Sequence, residues 1–151
     1  MKILGIDPGL TGGLALLDLD KLTVIPMPVL KLKDKQTLDL GVLVQKLQEM
    51  QPDHVCIEQQ QSMPKQGLSS TFRTGYHYGV LIGVLAALKV PYETISPRQW
   101  KKAMQVPADK SAARHRATQL LPQYAAAWSK AKDDGLAEAA LIALYGSTRS
   151  P

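Results

Sequence analysis

The stretch Met1-Lys2-Ile3-Leu4-Gly5-Ile6-Asp7-Pro8-Gly9 decides how the rest of the chain is read. Ile3, Leu4 and Ile6 make a short, β-branched apolar run of the kind that fills a central buried strand. Asp7 falls where that strand emerges, and Pro8-Gly9 supplies a turn directly after it. A carboxylate beside an apolar strand is costly when buried and unpaired. Alone, an Asp-Pro-Gly is a turn cap. Two other acidic positions, both far along the chain, give it a second meaning.

Working outward, Leu14–Leu17 reads as a second strand, 18–21 as a hairpin turn and Leu22–Met27 as a third strand. Residues 31–36 read as a polar loop. From Leu38 to Met50, apolar residues at 40, 43, 44, 47 and 50 fall on one helix face, with Asp39 as N-cap. His54–Glu58 is the fourth strand and 59–70 a polar, mobile loop. A long helix is predicted over Thr71–Lys89, with Gly75, Gly79 and Gly83 at four-residue spacing. Each interior glycine costs about 1 kcal/mol of helix propensity, so three on one face need a packing reason. Pro91–Ile95 is the fifth strand. Ser96 caps a short helix from Pro97, Asp109 caps one running to Leu121, and the last helix starts at Asp133 or Asp134 and ends at Tyr145, with Gly146 just beyond it. The first three strands make an antiparallel meander, and the last two need crossovers and run parallel to the first. The expected architecture is one α/β domain over residues 1–151 with a five-stranded mixed sheet.

Composition narrows the class. Of 151 residues, 45% are hydrophobic and 21% charged, ordinary for a globular protein. The single cysteine, Cys56, permits no intramolecular disulfide, and no signal peptide or membrane span is legible, so a cytoplasmic location is expected. Charge is unevenly placed. Residues 59–132 hold 11 of the 18 lysines and arginines but only two acids, Glu93 and Asp109. A basic middle with acid-bearing ends suggests a polyanionic partner and a separate acidic centre.

That centre can be assembled from strand ends. Glu58 closes the fourth strand as Asp7 closes the first, so parallel neighbours would bring both carboxylates to one sheet edge. Asp134 and Glu138 are four apart and share a face at the start of the last helix. Like charges at that spacing oppose helix formation, only partly offset by the helix dipole. Singly, each acid has a structural role open to it, as a cap, a surface group or a salt-bridge partner. Together, four converging carboxylates call for a cation, and hard oxygen ligands favour Mg²⁺, with Mn²⁺ able to substitute.

These residues resemble a family. Gly-Ile-Asp-Pro-Gly at 5–9, Ile-Glu-Gln at 57–59 and Ala-Glu-Ala at 137–139 are similar to the three acidic motifs of RuvC-like Holliday-junction resolvases. Met63-Pro-Lys-Gln-Gly67, Ser70-Thr-Phe72, Gly75, Gly79 and Pro97-Arg-Gln-Trp-Lys101 resemble its phage-type branch. The resemblance implies a ribonuclease-H-like fold, a homodimer, and Mg²⁺-dependent endonuclease cleavage of four-way DNA junctions, in a nucleoid-associated or phage-infected setting. It implies two Mg²⁺ ions held by Asp7, Glu58, Asp134 and Glu138, with Asp7 between them. Lys65, Arg73, Lys101 and Lys102 are then expected on backbone phosphates, and Phe72 as a wedge or stacking residue at an open junction, unless it is a core contact. One departure stands out. The final acidic pair of bacterial members is usually three apart, and here Gly135 holds the position three before Glu138, leaving Asp134, or else Asp133, as the fourth acid. The alternatives are a nuclease of the same fold acting on RNA or other branched DNA, and a non-catalytic junction-binding module. The Gly-Ile-Asp-Pro-Gly start also resembles actin-like sugar kinases, which need two such domains.

Overall fold

In the computed structural model, which describes residues 1–109 and 111–149, the opening stretch forms strand β1 (Lys2–Asp7) at the centre of a five-stranded sheet. Strands β2 (Gly13–Asp18) and β3 (Lys21–Pro26) continue it as an antiparallel meander, with Leu19 in the left-handed conformation at the turn between them. On the other side lie β6 (His54–Glu58) and β7 (Tyr92–Ile95), both parallel to β1, giving the order β3-β2-β1-β6-β7. The expected mixed sheet of three antiparallel and two parallel strands is the one observed.

One element departs from expectation. The polar stretch after β3 is a separate two-stranded hairpin, β4 (Val29–Leu32) and β5 (Lys35–Leu38), rather than a loop. Its residues are mostly exposed, so no alternation of buried side chains marks it in the sequence. Helix α1 (Leu40–Met50) follows, with the Asp39 carboxylate accepting from the Val42 N–H as its cap.

The two faces of the sheet are covered differently. Leu4, Ile6, Val55 and Ile57 point toward α1 and α2 (Leu68–Ala87) and form one core. Ile3, Gly5, Asp7, Cys56 and Glu58 alternate with them and point to the opposite face. There α5 (Asp134–Arg149) crosses the sheet, joined by α3 (Pro97–Ala103) and α4 (Ala112–Leu120). The crossing is close at Gly5, where an added Cβ would lie 2.2 Å from the Ala139 carbonyl oxygen, so no side chain fits. Gly146, read from the sequence as the residue that ends this helix, lies inside it and presses on Cys56 Sγ and Ile3. Tight packing, and not a left-handed turn, is what requires glycine at 146. The cap of α4 is Ser111 by position, with Asp109 two residues earlier, and residues 122–128 form a 3-10 segment that buries Trp128. No helix among the described residues is long and apolar enough to cross a membrane.

Candidate metal centre

Because β1 and β6 run side by side in the same direction, Asp7 and Glu58 leave the sheet at one edge and on one face. Helix α5 starts above that edge. Its first turn is seated on the loop after β1: a Cβ at Gly135 would come within 2.3 Å of the Thr11 carbonyl oxygen and 3.1 Å of Asp7 Oδ2. That close seating brings Glu138 down to the strand ends. Asp7, Glu58 and Glu138 each offer a carboxylate oxygen, and the three oxygens lie within 4.8 Å of one another.

Three carboxylates so close hold each other's charge in check. Asp7 is pushed well above the usual carboxylate range, first by burial and then by the charges of Glu138 and Glu58. Its hydrogen-bonding contact with Glu138 raises it further, while the Gly9 backbone opposes the shift. Glu58, only 7% exposed, is raised chiefly by burial, with a hydrogen bond from Trp100 opposing the shift. Glu138 is raised by burial as well, with the Lys101 ammonium pulling the other way and Asp134 adding to the rise. A set of hard, buried, like-charged oxygens with too little positive charge around it fits a divalent cation such as Mg²⁺ or Mn²⁺.

The other predicted site residues fall in different places. Asp134 is not among the three; its Oδ1 accepts from Arg114 Nε at 2.6 Å, although its charge reaches Glu138. Asp133 is used locally, accepting from the Lys130 N–H. Lys101 lies next to the acids, with its ammonium 5.6 Å from the centre of the Trp100 ring. Lys102 and Lys65 are exposed, Lys65 in the left-handed conformation within the loop before α2. Arg73 lines a cleft with Gly9, Gln60, Ser70 and His77, directly beyond the turn that follows Asp7. Phe72 is 75% exposed on the first turns of α2, so it is no core contact.

Two participants were invisible as such in the sequence. Trp100 donates its indole N–H to Glu58 Oε2 at 2.6 Å, and Arg114 neutralises Asp134. Both pairs join distant parts of the chain, and no local pattern announces them. A second cluster, His54, Cys56 and Glu93, also has ligand atoms within 4.8 Å of one another. Here the Glu93 carboxylate is already held by Arg149, whose charge opposes a cation. Burial, followed by Glu93, pushes the Cys56 thiol up to about 12.

No protein-family model matches this chain, and no curated protein matches it in sequence. Solved structures do match its fold. RuvC of Thermus thermophilus in complex with a Holliday-junction substrate aligns over 98% of this chain and 95% of that one, at 19% identity and a TM-score of 0.68. A second structure of Thermus thermophilus RuvC gives 18% identity and a TM-score of 0.64 over 98% and 96% of the two chains. The yeast mitochondrial Holliday-junction resolvase Ydc2 gives 19% and 0.60, over 95% of this chain and 76% of that one. The chain therefore has the RuvC-type, ribonuclease-H-like fold.

Proposed function

We propose that this chain, built on the fold of the RuvC resolvases, is a structure-specific endonuclease that cuts four-way DNA junctions with the help of Mg²⁺. One observation carries the reading: three carboxylates from β1, β6 and α5 meet at a single sheet edge, on a fold whose solved examples include RuvC on a Holliday-junction substrate. Fold alone hosts many chemistries, and the acid cluster is what selects this one.

Asp7, Glu58 and Glu138 would hold the metal, each offering a carboxylate oxygen. Asp134 is the fourth candidate, one turn from Glu138 and at present paired with Arg114. When bound, the pair of Mg²⁺ ions supplies activation of a water and stabilisation of the leaving oxygen in phosphodiester hydrolysis. The rest of the work belongs to basic and aromatic groups. Lys101 supplies positive charge beside the acids for the scissile phosphate. Arg73, in the cleft beyond Gly9, and the exposed Lys65 and Lys102 hold flanking phosphates. Phe72, exposed near the start of α2, can stack on an unpaired base.

The same helix supports a homodimer. Leu68, Phe72, Gly75, Tyr76, Gly79 and Gly83 lie on its exposed side, and a Cβ at any of the three glycines would meet no neighbouring atom within 4 Å. Packing among the described residues therefore does not account for those glycines. A second copy approaching closely along the helix does, and two sites on one frame suit paired cuts.

The test is incubation with a mobile four-way junction and Mg²⁺, with nick positions read on all four strands, beside ultracentrifugation at micromolar concentration. Symmetric paired nicks by a dimer are expected. Binding without nicks would leave a junction-binding module in place of an enzyme.

A further inference from the structure

We propose that Trp100 is a positioning residue of the metal centre, its indole N–H fixing the Glu58 carboxylate in the orientation that receives the ion. The proposal rests on the metal-dependent reading above and adds a residue that none of the acidic motifs contains.

The geometry begins in α3. Ser96 caps this helix through a hydrogen bond from the Gln99 N–H, and Pro97 opens it with a fixed φ. The helix is short and follows directly on β7, whose last residue, Ile95, pairs with Glu58 in the sheet. Trp100 is thus carried to the end of β6, where it is completely buried. A buried indole N–H must find an acceptor. It finds Glu58 Oε2, at 2.6 Å, with both groups out of solvent.

The other buried tryptophan provides an internal reference. Trp128 gives its N–H to the Thr118 hydroxyl at 3.0 Å, a neutral acceptor that serves only to satisfy the ring. Trp100 instead uses a carboxylate of the acid cluster, through a shorter, charge-assisted bond. An indole is also suited to such a task. It donates one proton, accepts none and carries no charge. A lysine or arginine at the same place would hold Glu58 but cancel the charge a cation needs. Trp100 holds one oxygen and leaves most of the carboxylate's lone-pair sites free for a metal. Hydrogen bonds to a ligand from outside the metal's own contacts commonly change affinity or activity by about 10–100-fold when removed. The next residue, Lys101, stays over the same ring, so α3 delivers the orienting group and a phosphate-seeking charge together.

The experiment is Mn²⁺ binding followed by electron paramagnetic resonance, with no DNA present, on folded protein checked by circular dichroism. Trp100→Phe removes the N–H and shrinks the ring. The isostere 3-benzothienylalanine, incorporated at position 100, replaces only the N–H by sulfur and keeps the packing should the phenylalanine variant unfold. The native protein should bind Mn²⁺ in a manner lost in Asp7→Asn, and the isostere should bind about tenfold more weakly. A loss of about threefold or more on that scale supports the proposal. A smaller change in the folded isostere overturns the positioning role and leaves the metal centre standing. Absence of Asp7-dependent binding in the native protein overturns both.

Discussion

Strand β6 carries polar side chains at both ends on the same face, His54 and Cys56 at its start and Glu58 at its finish, and the surrounding structure treats the two ends in opposite ways. At the start, Glu93 of the neighbouring strand meets Arg149 and accepts from the Cys56 thiol, and its carboxyl is held below the usual range, chiefly by the bond from Arg149. That end is closed by its own counter-charge. At the finish, Asp7, Glu58 and Glu138 are gathered, with the Lys101 ammonium opposing the rise at Glu58 and Glu138, and all three are raised by burial. A fold that can supply an arginine to one carboxylate has left three others short of positive charge. The difference separates a site completed by the chain from one left open to a cation.

The largest consequence should appear in cleavage. Glu58→Gln and Glu138→Gln keep size and hydrogen bonding but remove ligand charge, so junction cleavage in Mg²⁺ should fall to background while gel-shift binding in Ca²⁺ persists. Ca²⁺ coordinates more loosely and at longer range and should support little cutting even by the native protein. Glu93→Gln, at the closed end, should cut at the native rate. Loss of cleavage in Glu93→Gln would erase the distinction between the two ends.

Stability against pH should separate them by sign. At the acid cluster the folded protein holds protons that the unfolded chain releases at ordinary carboxylate values. Its contribution is therefore present at low pH and lost as pH rises from about 4 through the raised folded values. At Glu93 the folded value is lowered, so its contribution is present above the ordinary value and lost as pH falls. Melting temperatures in EDTA across pH should show Asp7→Asn flattening the first trend and Glu93→Gln the second. Both variants are expected to stay folded; the half-exposed Glu93–Arg149 pair contributes only about 1 kcal/mol.

Asp134→Asn should slow cleavage more than Asp133→Asn, since Asp134 lies within reach of Glu138 and Asp133 caps its own turn. Equal rates in a single-turnover assay would remove Asp134 from the centre. Smaller still, Lys101→Ala with Lys102→Ala should weaken binding to all DNA alike and lower the salt slope by about two units, one for each phosphate left without its lysine.

Much of this was legible from residue order. The alternation in Ile3-Leu4-Gly5-Ile6-Asp7 and His54-Val-Cys-Ile-Glu58 fixes which side chains share a face, so the meeting of Asp7 and Glu58 follows once the strands are parallel neighbours. Asp39 and Ser96 announce their helices because capping is local. The 29–38 hairpin is not legible, since an exposed ribbon buries no alternating residues. Gly146 reads as a helix end because local chemistry cannot reveal the Cys56 sulfur beneath it. The pairing of Asp134 with Arg114 is hidden for the same reason, since the two lie 20 residues apart. Trp100, 42 residues from Glu58, is recognisable only once both are folded against α5.

The most direct measurement is the thermal stability of the native protein, Asp7→Asn and Glu93→Gln with and without Mg²⁺. A ligand that binds only the folded state stabilises it by about 2.7 kcal/mol at 100 times its dissociation constant. The account predicts that Mg²⁺ raises the melting temperature of the native protein and of Glu93→Gln. Asp7→Asn should melt higher than native in EDTA, freed of carboxylate repulsion, and gain nothing from Mg²⁺. An Asp7→Asn protein that gains as much from Mg²⁺ as the native one would contradict it.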